Sequence, residues 1–267
     1  MTFSALPMYD FRELRAATDA LWDAIAARLG AEGISAPGAL TRGRPLDALW
    51  TDPDLLLGQT CGYPLATSLK DRVTLLATPC YLAPGATGTR YRSAVVVRAN
   101  HPASTLADLR FSRCAVNDAA SNSGMNMLRA AIAPLAGANR FFSHIVMTGS
   151  HAASVIAVAE RDADVAAIDC VTWAHLRHLR PETTSDLRVL AWTAECPGLP
   201  LITSLHTTPE VRDALRRALA SVADDPALAP VRQALRLDGF GVLTLTDYDA
   251  VLALERTAQK AGYPDLS

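Results

Sequence analysis

The amino-acid sequence predicts an α/β protein built from two lobes. Short apolar runs, several of them rich in β-branched residues, alternate along the chain with segments whose apolar residues recur at helical spacing. Alternation of this kind is typical of layered α/β folds with mainly parallel sheets. The chain has 267 residues, which is enough for one large domain or for two lobes of ordinary size.

The hydrophobic pattern places the elements in chain order. Apolar residues at helical spacing, among them Leu21, Ile25 and Leu29, predict a first helix over residues 11–29. Strands are predicted at residues 3–8, 54–59, 72–79, 91–99, 114–116, 141–147, 164–169, 187–193 and 199–204. Further helices are predicted at residues 105–109, after Ser123, at 151–162, at 171–179 and through most of 209–261.

The middle of the chain contains a βαβαβα block flanked by two predicted strands. If these strands cross between lobes, near residues 91–98 and 187–194, residues 98–188 form one lobe. Residues 1–97 and 189–267 then form the other, discontinuous lobe. Such an arrangement predicts a ligand cleft between two mainly parallel-core sheets and a clamp that closes by hinge motion.

Composition narrows the classes of partner. Half of the residues are hydrophobic, 19% are charged, and the formal net charge is -2. These values predict an ordered protein that does not bind nucleic acid or a membrane surface through bulk charge. No apolar run approaches the ~20 residues that span a bilayer, so we expect no membrane insertion.

The cysteines and histidines do not form a pattern typical of a metal or cofactor site. The five cysteines are widely spaced without a CxxC pair, so neither zinc nor a disulfide framework is expected. Cys61 has no base beside it in the sequence, and His175 and His178 share a helical face without a third ligand nearby. We therefore expect no cofactor and no metal. We also expect the protein to be a monomer.

The first residues, MTFSALPMYDFREL, lack the basic and apolar regions of a secretory signal. This pattern predicts a cytoplasmic location if the sequence is complete as written. It predicts a periplasmic location if a leader was removed or the start is mis-called.

Five turns between a predicted strand and a predicted helix are rich in small polar residues. They are residues 9–10, 58–64, 117–124, 148–154 and 168–173. Open α/β sheets bind ligands at this end of their strands, where helix N-termini present unpaired N–H groups. The turns therefore favour a small anionic ligand.

The side chains in these turns suit a tetrahedral oxyanion. Hydroxyls of Ser121, Ser123 and Ser150, the His151 ring and the Tyr9 hydroxyl can all donate hydrogen bonds. Gly124 allows close backbone approach. Asp169 suits a ligand that keeps a P–O–H, because a phosphate-like group has a second pKa near ~6 and a carboxylate accepts that proton's hydrogen bond. Such an acceptor favours phosphate or phosphonate over sulfate.

Simpler interpretations compete with each of these assignments. Ser is also a preferred helix cap, which is the alternative role for Ser121 and Ser123. The alternative role for Tyr9 is a packing aromatic, and the alternative place for His151 is an exposed helix start. Ser150, His151 and Asp169 are the residue types of a hydrolytic triad. However, adjacent Ser and His rarely orient as nucleophile and base, and no GxSxG elbow occurs. An effector-sensing domain of a regulator is a further alternative, but no helix-turn-helix segment is evident.

Four stretches, ALPMYD, QTCGYPL, NDAASNSGMNMLR and TGSHAASVIAVAERDADVAAIDCVTW, together resemble the motifs of a known family. The chain is similar to the phosphate/phosphite/phosphonate-type solute-binding proteins of ABC transporters, which are periplasmic binding proteins of type II. The similarity runs from Ala5 to about Leu205 and weakens in the helical tail. It implies a two-lobed type II fold and an ABC permease as partner.

The resemblance also implies which residues contact the ligand. They are Tyr9, Gln59, Thr60, Tyr63, Ser121, Asn122, Ser123, Ser150, His151 and Asp169. Better-known members often carry Thr or Tyr in and after the hydroxyl-rich turn, where this chain has Asn122, Met125 and Asn126. The predicted function is capture of a small phosphorus oxyanion for an ABC-type uptake system. The alternative is an enzyme on the same scaffold that acts on a phosphorylated or cofactor-precursor small molecule.

Overall fold

The computed structural model describes residues 2–136 and 140–267. Its strands are β1 (Phe3–Ala5), β2 (Leu55–Gln59), β3 (Val73–Tyr81), β4 (Ala86–Thr87), β5 (Arg90–Tyr91), β6 (Ser93–Arg98), β7 (Arg113–Val116), β8 (His144–Met147), β9 (Val165–Asp169), β10 (Leu187–Trp192), β11 (Cys196–Pro197), β12 (Leu201–Ser204) and β13 (Leu237–Gly241). Its α-helices are α1 (Arg15–Ala31), α2 (Leu46–Trp50), α3 (Gly62–Ala66), α4 (Met127–Ala136), α5 (His151–Ala159), α6 (Cys170–Leu179), α7 (Pro181–Thr184), α8 (Pro209–Asp224), α9 (Ala229–Ala234) and α10 (Asp249–Lys260).

The chain divides into two compact units. Unit 1 comprises residues 1–82, 87–89 and 198–247, and unit 2 comprises residues 83–86, 90–197 and 248–267. The predicted α/β class with two lobes is therefore confirmed. The boundaries differ from the predicted ones, because both flanking strands, β6 and β10, pair within the sheet of unit 2 rather than dividing the lobes.

Unit 1 is organised around a five-stranded sheet in the order β1-β2-β12-β3-β13. Only β1 and β2 are parallel in this sheet, because β12 and β13 return antiparallel to their neighbours. Every residue of β2 is buried, which explains why its sequence contains three consecutive leucines at residues 55–57. Helices α8 and α9 pack near β13, and α1 packs against both of these helices.

Unit 2 contains a second five-stranded sheet in the order β10-β6-β9-β7-β8. Strands β9, β7 and β8 are parallel, and β6 and β10 are antiparallel additions. The predicted mainly parallel sheets are therefore mixed sheets. The core of this unit includes Val95, Ile132, Phe141 and Phe142, all fully buried, packed with residues of the C-terminal segment such as Tyr263.

Two features differ from the predicted elements. The tail predicted as mostly helical contains β13, whose Leu237–Gly241 stretch pairs antiparallel with β3 at the edge of the sheet in unit 1. The helix after Ser123 begins with a π-helical segment, Asn122–Asn126, before α4. Neither feature has a distinctive local hydrophobic pattern.

Within the described residues, we find no helix whose length and apolar character would let it cross a membrane.

Candidate functional site

In unit 2 the carboxyl ends of three neighbouring strands meet at one edge of the sheet. Val116 at the end of β7 is in register with Met147 at the end of β8, and β7 is also parallel to β9. Asp169 at the end of β9 is paired with Ser93 at the start of β6. The predicted turns at residues 117–124, 148–154 and 168–173 therefore lie at the same edge, as expected from the parallel pairing.

The turn after β7 is shaped by Ser121, the N-cap residue of the π-helical segment. Its Oγ accepts a hydrogen bond from the Gly124 N–H at 3.0 Å. The first backbone bond of the segment runs from the Asn126 N–H to the Ser121 carbonyl, also at 3.0 Å, which is an i+5 to i bond. A π-turn leaves one more N–H outside the helical ladder than an α-turn does. Ser121 therefore does act as an N-cap, because its Oγ accepts a backbone N–H. The cap does not use the O–H donor of the same hydroxyl.

Ser123 and His151 form the central pair of the edge. Ser123 Oγ lies 2.7 Å from His151 Nε2, and Ser93 Oγ donates to the Ser123 carbonyl at 2.9 Å. Burial lowers the pKa of His151 to about 4, and the nearby Ala167 carbonyl opposes this shift. The Nδ1 atom is fully buried and makes no hydrogen bond of normal geometry within the described residues. The ring is therefore neutral at pH 7, so this pair offers neutral hydrogen-bonding groups rather than a positive charge.

Asn117 belongs to the same cluster, although sequence reasoning missed it. Its Oδ1 is buried without a hydrogen-bond partner in the part of the chain that the structure describes. A Cβ atom on Gly124 would lie 1.8 Å from that oxygen and 3.2 Å from His151 Cε1. The absent side chain of Gly124 thus lets the Asn117 amide and the His151 ring approach the turn. The only local signal was the position of Asn117 directly after a buried strand.

The side chain of Asn122 makes hydrogen bonds inside unit 2. The residue is fully buried, its Nδ2 donates to Tyr91 Oη at 3.1 Å, and its Oδ1 accepts from Asn126 Nδ2 at 2.9 Å. Both ends of the side-chain amide are therefore engaged inside unit 2.

Ser150 and Asp169 are both N-cap residues. Ser150 Oγ accepts from the Ala153 N–H at 3.1 Å at the start of α5. Asp169 Oδ1 accepts from the N–H groups of Val171 and Thr172 at 2.8 and 2.9 Å at the start of α6. Ser150 is exposed, and its O–H remains able to donate while the oxygen caps the helix.

The unit 1 candidates lie at the carboxyl ends of β1 and β2, which are parallel neighbours. Tyr9 packs edge-to-face on Tyr81, with ring centroids 5.1 Å apart, and Gln59 Nε2 donates to Tyr81 Oη at 3.3 Å. Thr60 is fully buried, and its Oγ1 has no hydrogen-bond partner within the described residues. Tyr63 lies in the first turn of the short helix α3. The structure thus brings Tyr9 and Gln59 together through Tyr81, which the sequence did not single out.

A pocket of about 240 Å³ also opens in unit 1 beside the carboxyl end of β1. It is lined by Leu6, Pro7, Asp10, Leu40, Thr41, Arg42, Gly43, Arg44 and Leu49. Arg42 is held by Asp10 and Asp19, at 3.0 and 2.7 Å, and Arg44 is held by Asp52 at 2.8 Å. The sequence analysis did not identify these arginines. The signal that could have found them is the TRGR stretch at residues 41–44.

The described residues do not assemble a hydrolytic triad. Ser150 Oγ caps α5, and the partner of His151 Nε2 is Ser123. A Ser–His pair resembles a nucleophile and its base, but no carboxylate orients Nδ1, and a histidine with a pKa of about 4 is a weak base. No group of three potential metal ligands occurs among the residues that the structure describes.

The comparison with protein families identifies the family of the chain. The family described as "ABC transporter, phosphonate, periplasmic substrate-binding protein" matches residues 3–248. The chain belongs to this family. Phosphonate-type substrate-binding proteins act as ligand carriers for transporters and not as enzymes, so membership implies a small ligand and a transporter permease as partners.

Solved structures show the same fold as this phosphonate-type binding protein. PhnD1 from Prochlorococcus marinus in complex with methylphosphonate has a TM-score of 0.76 and 14% identity, over 97% of this chain and 98% of that one. A binding protein component of an ABC phosphonate transporter from Pseudomonas aeruginosa has a TM-score of 0.75 and 16% identity, over 98% and 87%. XAC2383 from Xanthomonas citri, bound to chloride ion, has a TM-score of 0.73 and 20% identity, over 97% and 98%. At these identities the similarity establishes the two-lobed fold and confirms the predicted class.

Proposed function

We propose that this protein captures a small phosphorus oxyanion, namely phosphate, phosphite or a phosphonate, for an ABC-type uptake system. The ligand's oxygens would be held at the unit 2 edge by Ser121, Ser123, Ser150, His151 and the backbone N–H groups of the π-helical turn, with Asp169 as acceptor for a P–O–H. The proposal depends on one observation, the hydrogen bond between Ser123 Oγ in this turn and His151 Nε2 at the start of α5, at 2.7 Å.

The neutral state of His151 suits an oxyanion held by hydrogen bonds. When the ring proton lies on Nε2, it is donated to Ser123 Oγ, and the Ser123 hydroxyl proton is free to point at a ligand oxygen. Hydrogen bonds to a charged acceptor are about twice as strong as neutral ones, and the buried surroundings strengthen them further. A set of neutral donors therefore provides affinity and, through its geometry, selects a tetrahedral anion.

In unit 1, the same proposal assigns ligand contacts to Tyr9, Gln59, Thr60 and Tyr63. The buried Thr60 Oγ1, which lacks a partner among the described residues, supports this assignment because an unsatisfied buried hydroxyl is costly. Arg42 is a further candidate, since its fork is oriented by two carboxylates beside the pocket at β1.

The decisive test measures the loss of one hydroxyl. We expect Ser123→Ala to weaken binding of the tightest ligand among phosphate, phosphite, methylphosphonate and 2-aminoethylphosphonate by about 1–3 kcal/mol, the scale of a lost hydrogen bond to a charged group. This corresponds to a roughly 5- to 150-fold rise in Kd by titration calorimetry.

Ser204→Ala is the matched control, because Ser204 is also buried and its Oγ accepts a backbone N–H, at the end of β12 remote from Gln59. We expect its Kd to equal that of the wild-type protein. Equal affinities for Ser123→Ala and wild type would reduce Ser123 to a helix-start residue and remove the main support for the proposal.

A further inference from the structure

A buried polar network connects the π-helical turn to the C-terminal segment. It joins Asn122 and Asn126 of the turn to Arg129 of α4, and all three residues are at most 5% exposed. The network continues to three residues of the C-terminal segment, Val251, Glu255 and Pro264. The family match ends at residue 248, so this segment lies outside it.

Asn126 is the centre of the network because every polar group of its side chain is used. Its Nδ2 donates to Asn122 Oδ1 at 2.9 Å and to the Val251 carbonyl at 3.0 Å. Its Oδ1 accepts from Arg129 Nη2 at 2.8 Å. An arginine can only donate, so its position requires the Asn126 oxygen to face it and fixes the orientation of the amide.

Arg129 connects the same amide to the C-terminal segment. Its Nη1 donates to the Pro264 carbonyl at 2.6 Å, and its Nη2 lies 3.7 Å from Glu255 Oε1. Helix α10 packs on both α4 and the π-helical segment. The turn is therefore attached through side chains to an element that is distant in sequence.

The network matters because a π-turn needs external support. It carries one residue more than an α-turn and is rare except where its surroundings hold it. If the segment relaxed to an α-turn while α4 stayed in place, residues ahead of it would rotate by about 100° around the helix axis. Ser123 would then no longer face His151, and the first-turn N–H groups would point elsewhere.

We propose that Asn126 is a positioning residue for ligand binding, which together with Arg129 and the C-terminal segment at residues 249–267 holds the π-helical turn in its binding geometry. This inference rests on the proposed function, because the turn is the part of the site that it positions. The side-chain amides of Asn122 and Asn126 are both hydrogen-bonded within this network.

The test compares affinity with stability in Asn126→Leu, which keeps the approximate size of the side chain and removes all three hydrogen bonds. Ile132→Val is the matched control, because Ile132 is fully buried in α4, which directly follows the π-helical segment, and takes no part in the network. Two quantities are measured well below the melting temperature: Kd for methylphosphonate and inorganic phosphate, and hydrogen exchange of the amides of residues 122–127. The third quantity, Tm, is measured by thermal unfolding. We expect Asn126→Leu to raise both Kd and the exchange rates by at least tenfold, while Ile132→Val lowers Tm alone.

Each outcome has one interpretation. A lower Tm for Asn126→Leu with wild-type Kd and wild-type exchange at residues 122–127 would overturn the inference. If Asn126→Leu does not fold, Asn126→Asp takes its place, since it keeps the oxygen facing Arg129 and loses both N–H donors. If the wild-type protein binds neither anion, the proposed function fails for these ligands, and the exchange rates alone decide whether Asn126 holds the turn.

Discussion

Gly124 shows how a single residue determines the packing of the turn. Its missing side chain leaves space that Asn117 Oδ1 and the His151 ring occupy. Both groups carry a buried polar atom without a partner among the described residues, which is an unusual state in a protein interior. Polar atoms of this kind are typical of sites where a ligand or water completes the hydrogen bonds.

We therefore expect Gly124→Ala to be harmful although glycine is a poor helix former. The new Cβ would meet Asn117 Oδ1 at 1.8 Å, so the amide must rotate, and the free energy of unfolding should fall by about 1–3 kcal/mol. Gly30→Ala in α1 is the control, because nothing lies within 4 Å of its Cβ, and it should stabilise by about 0.5–1 kcal/mol. Urea unfolding of both variants checks this, and two variants of equal stability would contradict it.

Asp169 permits a test of charge without loss of its cap. In Asp169→Asn, the side-chain carbonyl can still accept from the N–H groups of Val171 and Thr172. We expect weaker binding of phosphate and better tolerance of sulfate, because the acceptor for a P–O–H is replaced by an amide that can donate. Calorimetric titration with both anions measures the preference.

Asp225→Asn is the control for this change, since the Asp225 carboxylate is likewise an N-cap. It caps the short 3-10 helix at Pro226–Leu228 by accepting from the Ala227 N–H. Its phosphate-to-sulfate ratio should match that of the wild-type protein. An unchanged ratio in Asp169→Asn would leave Asp169 with its capping role alone.

At the scale of the elements, helix starts perform two functions in unit 2. Ser121, Ser150 and Asp169 each satisfy backbone N–H groups of the helical segment that follows them. The same N-termini carry the positive end of the helix dipole, which favours an anion. A serine can therefore cap a helix and bind a ligand at once, because its oxygen accepts the backbone N–H while its O–H proton can donate to the ligand.

This compatibility predicts how two capping variants differ. Ser150→Ala should lower the free energy of unfolding by about 1 kcal/mol and also weaken binding of the oxyanion. Thr208→Ala removes a cap of the same kind, since Thr208 Oγ1 accepts from the Val211 N–H at the start of α8. It should lower stability by a similar amount and leave Kd unchanged. Chemical unfolding combined with calorimetry separates the two, and identical Kd values in both variants would show that Ser150 only caps.

At the scale of the whole molecule, buried ionisable groups couple stability to pH. His151 has its pKa lowered to about 4 by burial, whereas an unfolded histidine titrates near 6.5. As the pH falls from about 6.5 towards 4, His151 becomes protonated in the unfolded chain but stays neutral in the folded protein. The free energy of unfolding therefore falls in this pH range. Asp164 acts at lower pH: burial opposes the change, but hydrogen bonds from Arg113 and Arg98 hold its pKa below the usual range.

We expect the free energy of unfolding to drop by about 1–2 kcal/mol between pH 7.5 and pH 5.0 on account of His151. Urea unfolding at the two pH values measures the drop, and His151→Gln should reduce it. Burial also lowers the pKa of His101, so His101 contributes to the drop in the same direction. His101→Gln measures that contribution, and comparison with His151→Gln separates the contributions of the two histidines. An undiminished drop in His151→Gln would mean that its ring is not held neutral by burial.

The α/β class, most of the strands and the turns that carry the candidate residues could be predicted from local sequence patterns. Hydrophobic period and cap chemistry are local properties, so they can be read from neighbouring residues such as those around Ser121 and Ser150. The tertiary structure alone decided that Ser123 is paired with His151, that Asn117 joins them, and that β13 interrupts the helical tail. It also decided that the C-terminal segment belongs to unit 2 and supports Asn126. These features depend on contacts between residues far apart along the chain, and a single sequence carries no direct record of which distant residues meet.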